Sequence, residues 1–328
     1  MLRSLLSRLG IGSDRGKPHR PPPPPKKISV ERPPSEEVPS EQSDAAMLPP
    51  DATRFLESLV RAPDSSDLQA LPPDDRLFLS EIMKKLRDNS IDVPVLPNTA
   101  IEVSRLLADP NSNLADFVKA LETDPALSVS ILRDANSAFY GLTVPTNSLR
   151  DAVFRIGLSQ LRTIVILSHM QDKVLQSGLF EREVSWLSDL SMSMAHLGQM
   201  LAHELGLEPS VAFTRGVLSH LEHFLIMGTL AEVARQHRVE RPPSEECLHQ
   251  AFYRFGSKIR ELAARIWELE ELLTGDGHDD TITSRYDQLR TALVADWIGA
   301  TDLPQEVEGV SKLKLVEALT KLSPLAAE

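Results

Sequence analysis

The chain has 328 residues, 41% hydrophobic and only 5% aromatic, with a formal net charge of −12. That length holds one or two domains with a sizeable core, and the single cysteine, Cys247, excludes an intramolecular disulfide and points to a reducing, cytoplasmic home. No apolar run approaches the ~20 residues of a membrane span, and an acidic body disfavours nucleic acid, so no specific nucleic-acid partner is expected.

Charge is unevenly spread. Residues 1–27 carry seven Lys or Arg against Asp14 alone, so the rest of the chain holds −18. Within 1–12, Leu2, Leu5, Leu6 and Leu9 fall at i, i+3, i+4 and i+7, which predicts an amphipathic helix. Arg3 and Arg8 interrupt it too much for a secretory signal. The basic, leucine-striped segment suits a frayed terminus, a helix docked on its own domain, or weak contact of residues 1–27 with an anionic membrane surface or a partner. Residues 13–50, with Pro21–Pro25, Pro33-Pro34, Pro39 and Pro49-Pro50 among Ser, Glu and Lys, are expected to be a disordered, semi-rigid linker.

Helical signals then follow one another. Asp51 is placed to cap a short helix with Phe55, Leu56, Leu59 and Val60 on one face. Asp74 or Asp75 can cap another that buries Phe78, Leu79, Ile82, Met83 and Leu86. Asn98, after Leu96-Pro97, opens a helix carrying Ile101, Leu106 and Leu107, and Ser112 or Asn113 opens one with Leu114, Phe117, Val118 and Leu121. Asp124 is a good N-cap, Pro125 fits the first helical position, and Leu127, Ile131, Leu132 and Ala135 share an apolar face. Asn136-Ser137 weakens that helix, and Gly141 with Pro145 ends it after the aromatic pair Phe139-Tyr140. Further helices are predicted over 158–169, 184–205, 209–230, 245–255, 257–273 and 283–299. No segment alternates with period two, so the fold class is all-α, built by helix packing.

Several strings in this order carry a resemblance. Leu96-Pro97, Asp124-Pro125-Ala126-Leu127, Ala135-Asn136-Ser137, Tyr140-Gly141, Ser148-Leu149-Arg150-Asp151-Ala152 and Ile156-Gly157-Leu158 resemble the signature of the HDOD (HD-related output domain) family of bacterial signalling proteins. The resemblance covers about 92–300. It implies a helical domain of two lobes there, preceded by leading helices over 51–91 and followed by a helical tail over 301–328.

The resemblance also raises the question of a metal. Phosphohydrolase relatives hold one through a His, an adjacent His-Asp pair and a distant Asp, so that bound metal activates water. Here Gly216-Val217-Leu218 precedes Ser219-His220, so Ser219 stands where the His would be and His220 where the Asp would be. Trp186 is followed by Leu187-Ser188, which removes the first His as well; Asp296 alone resembles a family ligand. No cofactor is therefore expected. His220 and His223 share a helix face with Glu222 between them, and His196 and His203 on the preceding helix could face them. A rebuilt metal site from His196, His220 and His223 is the alternative. Asn136 is expected to cap its helix end or fix the following turn, and Phe139 and Tyr140 to anchor packing.

The resemblance thus implies a non-catalytic regulatory module with a degenerate HD motif, acting through a sensor kinase, a response regulator or a cyclic-dinucleotide enzyme. The alternatives are a metal-dependent phosphohydrolase with a displaced site, and a module that senses a cyclic dinucleotide without hydrolysing it.

Overall fold

The computed structural model describes residues 48–64, 67–94, 98–137, 140, 145–267, 269–273 and 280–322. The predicted helix over 1–12, the Pro-rich stretch up to residue 47, Leu96, Pro97, Phe139 and Gly141, and residues 323–328 lie outside the described residues.

Among the described residues every regular element is helical, as the all-α expectation requires. The first two helices, α1 (Pro50–Ser58) and α2 (Pro73–Arg87), open on proline rather than aspartate. Proline at the first position needs no N–H partner and is already helical in φ. Asp51, Asp74 and Asp75 sit instead in the first turns, where the helix dipole favours negative charge. In α2, Phe78, Leu79 and Ile82 are buried, but Met83 faces outward, against expectation. In α3 (Asn98–Ala108) the buried stripe is Ala100, Val103 and Leu106. The predicted Ile101 and Leu107 are exposed, because the small Ala100 rather than its neighbour turns inward.

The signature region follows the local physics closely. Asn113 caps α4 (Leu114–Leu121) in a reciprocal box with Asp116. Asp124 accepts a hydrogen bond from Leu127 N at 3.1 Å to open α5 (Pro125–Ala135), which buries Leu127, Ile131 and Ala135 and leaves Leu132 half-buried. Ser148 caps α6 (Leu149–Ile156), and Gly157, at φ +92°, ends α6 and starts α7 (Leu158–Leu175). Only glycine adopts that backbone readily.

The second half contains α8 (Glu181–Met200), α9 (Ala202–Leu205), α10 (Pro209–Leu218), α11 (Leu221–His237), α12 (Glu245–Ile266), α13 (Glu270–Leu273), α14 (Asp280–Ile298) and α15 (Lys312–Leu322). Several predicted boundaries change. The helix expected over 158–169 continues to Leu175, and the one expected over 184–205 begins at Glu181 and breaks at Leu201 into α8 and α9. The helix expected over 209–230 breaks at Ser219-His220. The two expected over 245–255 and 257–273 are one helix as far as Ile266, since a single interior glycine costs only about 1 kcal/mol and the flanking Phe255 and Ile259 are buried.

Helix α7 is the spine, touching α3, α5 and α6 as well as α8, α10 and α11. The tightest pair is α8 and α10. A Cβ on Gly216 would stand 2.4 Å from Ala195 Cα and from Met194 O, so the backbones meet where only a hydrogen fits. Helix α1 lies on α8 and α12 through Phe55, whose ring centroid is 5.8 Å from Trp186 and 6.2 Å from Phe252. Helix α15 packs on α8. Among the described residues no helix is long and apolar enough to cross a membrane.

Candidate functional site at the helix corner

The break between α10 and α11 makes a corner, and His220 sits at its apex with no exposed surface. Its Nδ1 lies 3.0 Å from Ser219 Oγ and 3.2 Å from Ser191 Oγ on α8. Among the described residues its Nε2 has no hydrogen-bond partner. Burial, reinforced by Arg290, His223 and Arg260, holds this imidazole well below its ordinary pKa, so it is neutral. Arg290 of α14 donates to Ser219 O at 3.3 Å and ties the corner down.

Glu222, on the first turn of α11, is the hub of the site and only 2% exposed. Arg260 of α12 grips both its carboxylate oxygens, through Nε to Oε2 at 3.1 Å and through Nη2 to Oε1. Arg290 Nη1 stands 3.7 Å from Oε1 and His223 Nδ1 3.5 Å from it. Burial pushes the Glu222 pKa up, but Arg260, His223 and Arg290 together outweigh it and bring it to about 2. Glu222 in turn raises Arg260. Arg290 also donates to Asp287, while burial lowers its pKa. His223 packs edge-on to Phe252 at 4.7 Å, and burial depresses it to about 4 despite the Glu222 charge. A cavity of about 290 Å³ opens beside the cluster, lined among others by His223, Tyr253, Arg260 and Arg290.

The structure brings together some of the predicted site residues and separates others. His220 and His223 are neighbours, with ring centroids 5.7 Å apart. His196 is elsewhere, between Tyr140 and Phe213 at 5.5 Å from each ring, its pKa lowered to about 3 by burial. His203 is exposed on α9, because α8 ends at Met200 before it. A site built from His196, His220 and His223 is therefore not assembled. Ser188 turns its hydroxyl back to Val184 O, and it is Ser191, one turn further, that meets His220. Asp296 is exposed on α14. Among the described residues no group of three or more His, Cys, Asp or Glu stands ready to hold a metal ion.

Sequence reasoning passed over Arg260, Arg290 and Ser191 and saw Glu222 only as a spacer. A signal existed: Arg290 lies beside the buried Leu289 and three residues before the buried Leu293, so a charge occupies a core-facing position of α14. Charges at such positions are almost always paired.

The signature residues build a separate scaffold around the end of α5. Asn136 pins the loop after α5 by two hydrogen bonds to the backbone of Thr146, and Arg155 of α6 joins it at 3.2 Å. Asn136 thus fixes the following turn, as expected. Ser137 and Tyr140 lead out of α5 through successive turn hydrogen bonds, Ser137 N to Asp134 O and Tyr140 N to Ser137 O.

The family model for the HDOD domain matches residues 93–275, more than half of the chain. The chain belongs to the HDOD family. It is 31% identical over 107 residues to an uncharacterized protein of Treponema pallidum (strain Nichols), a match covering 33% of this chain and 21% of that protein, so it spans about a fifth of that relative's length. Among solved structures it is similar to a candidate metal-dependent phosphohydrolase from Shewanella amazonensis SB2B, at 18% identity and TM-score 0.48, over 78% of this chain and 100% of that one. A candidate signal transduction protein from Marinobacter aquaeolei VT8 has 18% identity and TM-score 0.49, over 76% and 62% of the two chains. An HDOD domain protein of unknown function from Geobacter sulfurreducens has 20% identity and TM-score 0.43, over 75% and 87%.

Proposed function

We propose that this chain is a non-catalytic regulatory module with a degenerate HD site, which transmits a signal by binding a partner protein such as a sensor kinase, a response regulator or a cyclic-dinucleotide enzyme. The observation that carries this reading is the Arg260–Glu222–Arg290 cluster. Metal-assisted hydrolysis needs neutral imidazoles and free carboxylates around a divalent ion. Here the carboxylate beside His223 is gripped by one guanidinium and faced by another.

A divalent ion entering the corner would have to displace Arg260 and then sit between two buried positive charges. Repulsion is strong where water does not screen it. Ser188 and Ser219 donate to backbone carbonyls, and Asp296 faces solvent. This donor set does not fit a divalent metal. The guanidinium groups supply the positive charge, and the corner serves as a rigid joint between α8, α11, α12 and α14.

The test is turnover. The purified chain with Mg²⁺, Mn²⁺ or Fe²⁺ is expected to leave phosphodiesters, nucleotides and phosphomonoesters uncleaved above background. Turnover that disappears in His220→Ala would overturn the reading. The proposal extends to residues 1–27, whose leucine stripe and basic charge together suit reversible, salt-sensitive attachment at an anionic membrane surface. Equal co-sedimentation of the full chain and a chain lacking residues 1–12 with anionic liposomes would remove that extension.

A further inference from the structure

Away from the corner, the C-terminal halves of α2 and α12 enclose an open groove of about 370 Å³. Met83 and Leu86 from α2 and Phe255 and Leu262 from α12 form its apolar floor. Arg87, Lys258 and Arg265 form its rim. On α12 the sequence Phe255, Lys258, Leu262, Arg265 recurs at helical spacing, so apolar and cationic groups alternate along a single face. Met83 is 44% exposed, and Ile266, next to Arg265, is 52% exposed.

The rim of this groove is cationic, whereas the neighbouring cations on the same two helices have acidic partners: Lys85 with Glu232 and Arg260 with Glu222. Arg87, Lys258 and Arg265 are exposed and form no ion pair among the described residues. Glu261 is the one acid in the lining. Three unmatched cations around an apolar slot run against a net charge of −12.

We propose that this groove docks an acidic amphipathic helix of a partner protein. The slot between two helices suits a third, whose apolar residues at i, i+3, i+4 and i+7 would meet the floor while flanking Asp or Glu reach the rim. Methionine adapts its shape to such an occupant. A nucleic acid would gain from the cations but little from the floor, whose one aromatic ring, Phe255, is buried, and the acidic body would repel it. The inference rests on the reading above only in that a partner exists.

The experiment is fluorescence anisotropy on the full chain with two labelled helical peptides sharing a leucine stripe, one with Glu and one with Lys at the flanking positions. The Glu peptide is expected to bind at least about tenfold more tightly than the Lys peptide and to weaken as salt rises. Lys258→Glu with Arg265→Glu, both exposed, should reverse the preference with an unchanged melting temperature. Met83→Ala should weaken the Glu peptide without altering its salt dependence. Equal binding of the two peptides overturns the proposal, as does indifference to these variants. So does preferential binding of an oligonucleotide of the same charge, or a groove-dependent dimer of the chain itself. Phosphodiester turnover in a chain that binds the Glu peptide would contradict only the non-catalytic reading. Lack of both turnover and peptide binding would contradict only this one.

Discussion

Asn136 and Thr146 hold each other across ten residues of chain: Asn136 Nδ2 donates to Thr146 O at 2.9 Å, and Thr146 N donates to Asn136 Oδ1 at 2.8 Å. Thr146 is buried, so water cannot replace these bonds freely. Asn136→Ala is expected to cost about 1–3 kcal/mol by stranding both backbone groups. Asn136→Asp should also destabilise, because a carboxylate can accept from Thr146 N but cannot donate to Thr146 O. Urea denaturation of the two variants checks this; wild-type midpoints would mean that the loop is held by something else.

The contact between α8 and α10 predicts a comparable effect from a smaller change. Gly216→Ala places a methyl 2.4 Å from Ala195 Cα, and backbone has no rotamer with which to yield. Overpacking of this kind typically costs about 1–3 kcal/mol. Thermal melts should show it, whereas Gly178→Ala has open space around the added methyl and only its positive φ of +69° to oppose it.

Acid should unfold this protein early. His196, His220 and His223 are held neutral by burial, with His196 at about 3 and His223 at about 4 against 6.5 when exposed. Below about pH 6.5 the unfolded chain takes up protons that the folded one refuses. The stability these groups contribute is complete above that pH and is lost as pH falls toward their folded values. Glu222, at about 2 against 4.5, adds a further loss below about pH 4.5. Asp134 works the other way: burial, aided by Asp189 and opposed by Arg133, raises it to about 6, so it weakens folding as pH rises from 3.8 toward 6. Burial also raises Asp172, Asp189 and Asp296, by less than Asp134; the three deeply buried histidines outweigh them, and calorimetric melts should show a falling Tm between about pH 7 and pH 4. A flat Tm over that interval would contradict the buried neutral histidines.

Around α5 the sequence and the structure agree closely enough to rank substitutions. Asp124→Ala should cost about 0.5–2 kcal/mol through the lost cap. Ile131→Ala, at a fully buried position, should cost about 2–5 kcal/mol, and Leu132→Ala, half-buried, distinctly less. Equal effects of the last two in chemical denaturation would place the apolar face of α5 elsewhere.

What was legible in the sequence was what local chemistry decides. Asn113 and Asp124-Pro125 each specify a helix start through their own side chain or φ, and each acts where expected; Ser148 and Gly157, which the resemblance strings contain, mark the two ends of α6 in the same way. The outward turn of Met83, Ile101 and Leu107 was not legible, because a helix with apolar residues on adjacent positions leaves its phase to whatever packs against it. The break at Ser219-His220 was hidden for the same reason: neither residue stops a helix, and the corner is held by Arg290, 71 residues beyond Ser219, reaching Ser219 O from α14. The candidate site was half legible. His220 and His223 are together as their spacing requires, but their electrostatic character comes from Arg260 and Arg290 on two later helices, which only the tertiary fold brings to Glu222.

The most direct measurement of the central claim is the metal stoichiometry of the full chain after exposure to Mn²⁺ or Fe²⁺ at neutral pH and removal of unbound ion, with His220→Ala and Glu222→Gln alongside. Two guanidinium groups already supply the positive charge at the corner, so the account predicts well under one ion per chain, with neither substitution lowering the amount retained. One tightly held ion per chain, lost in His220→Ala, would contradict it.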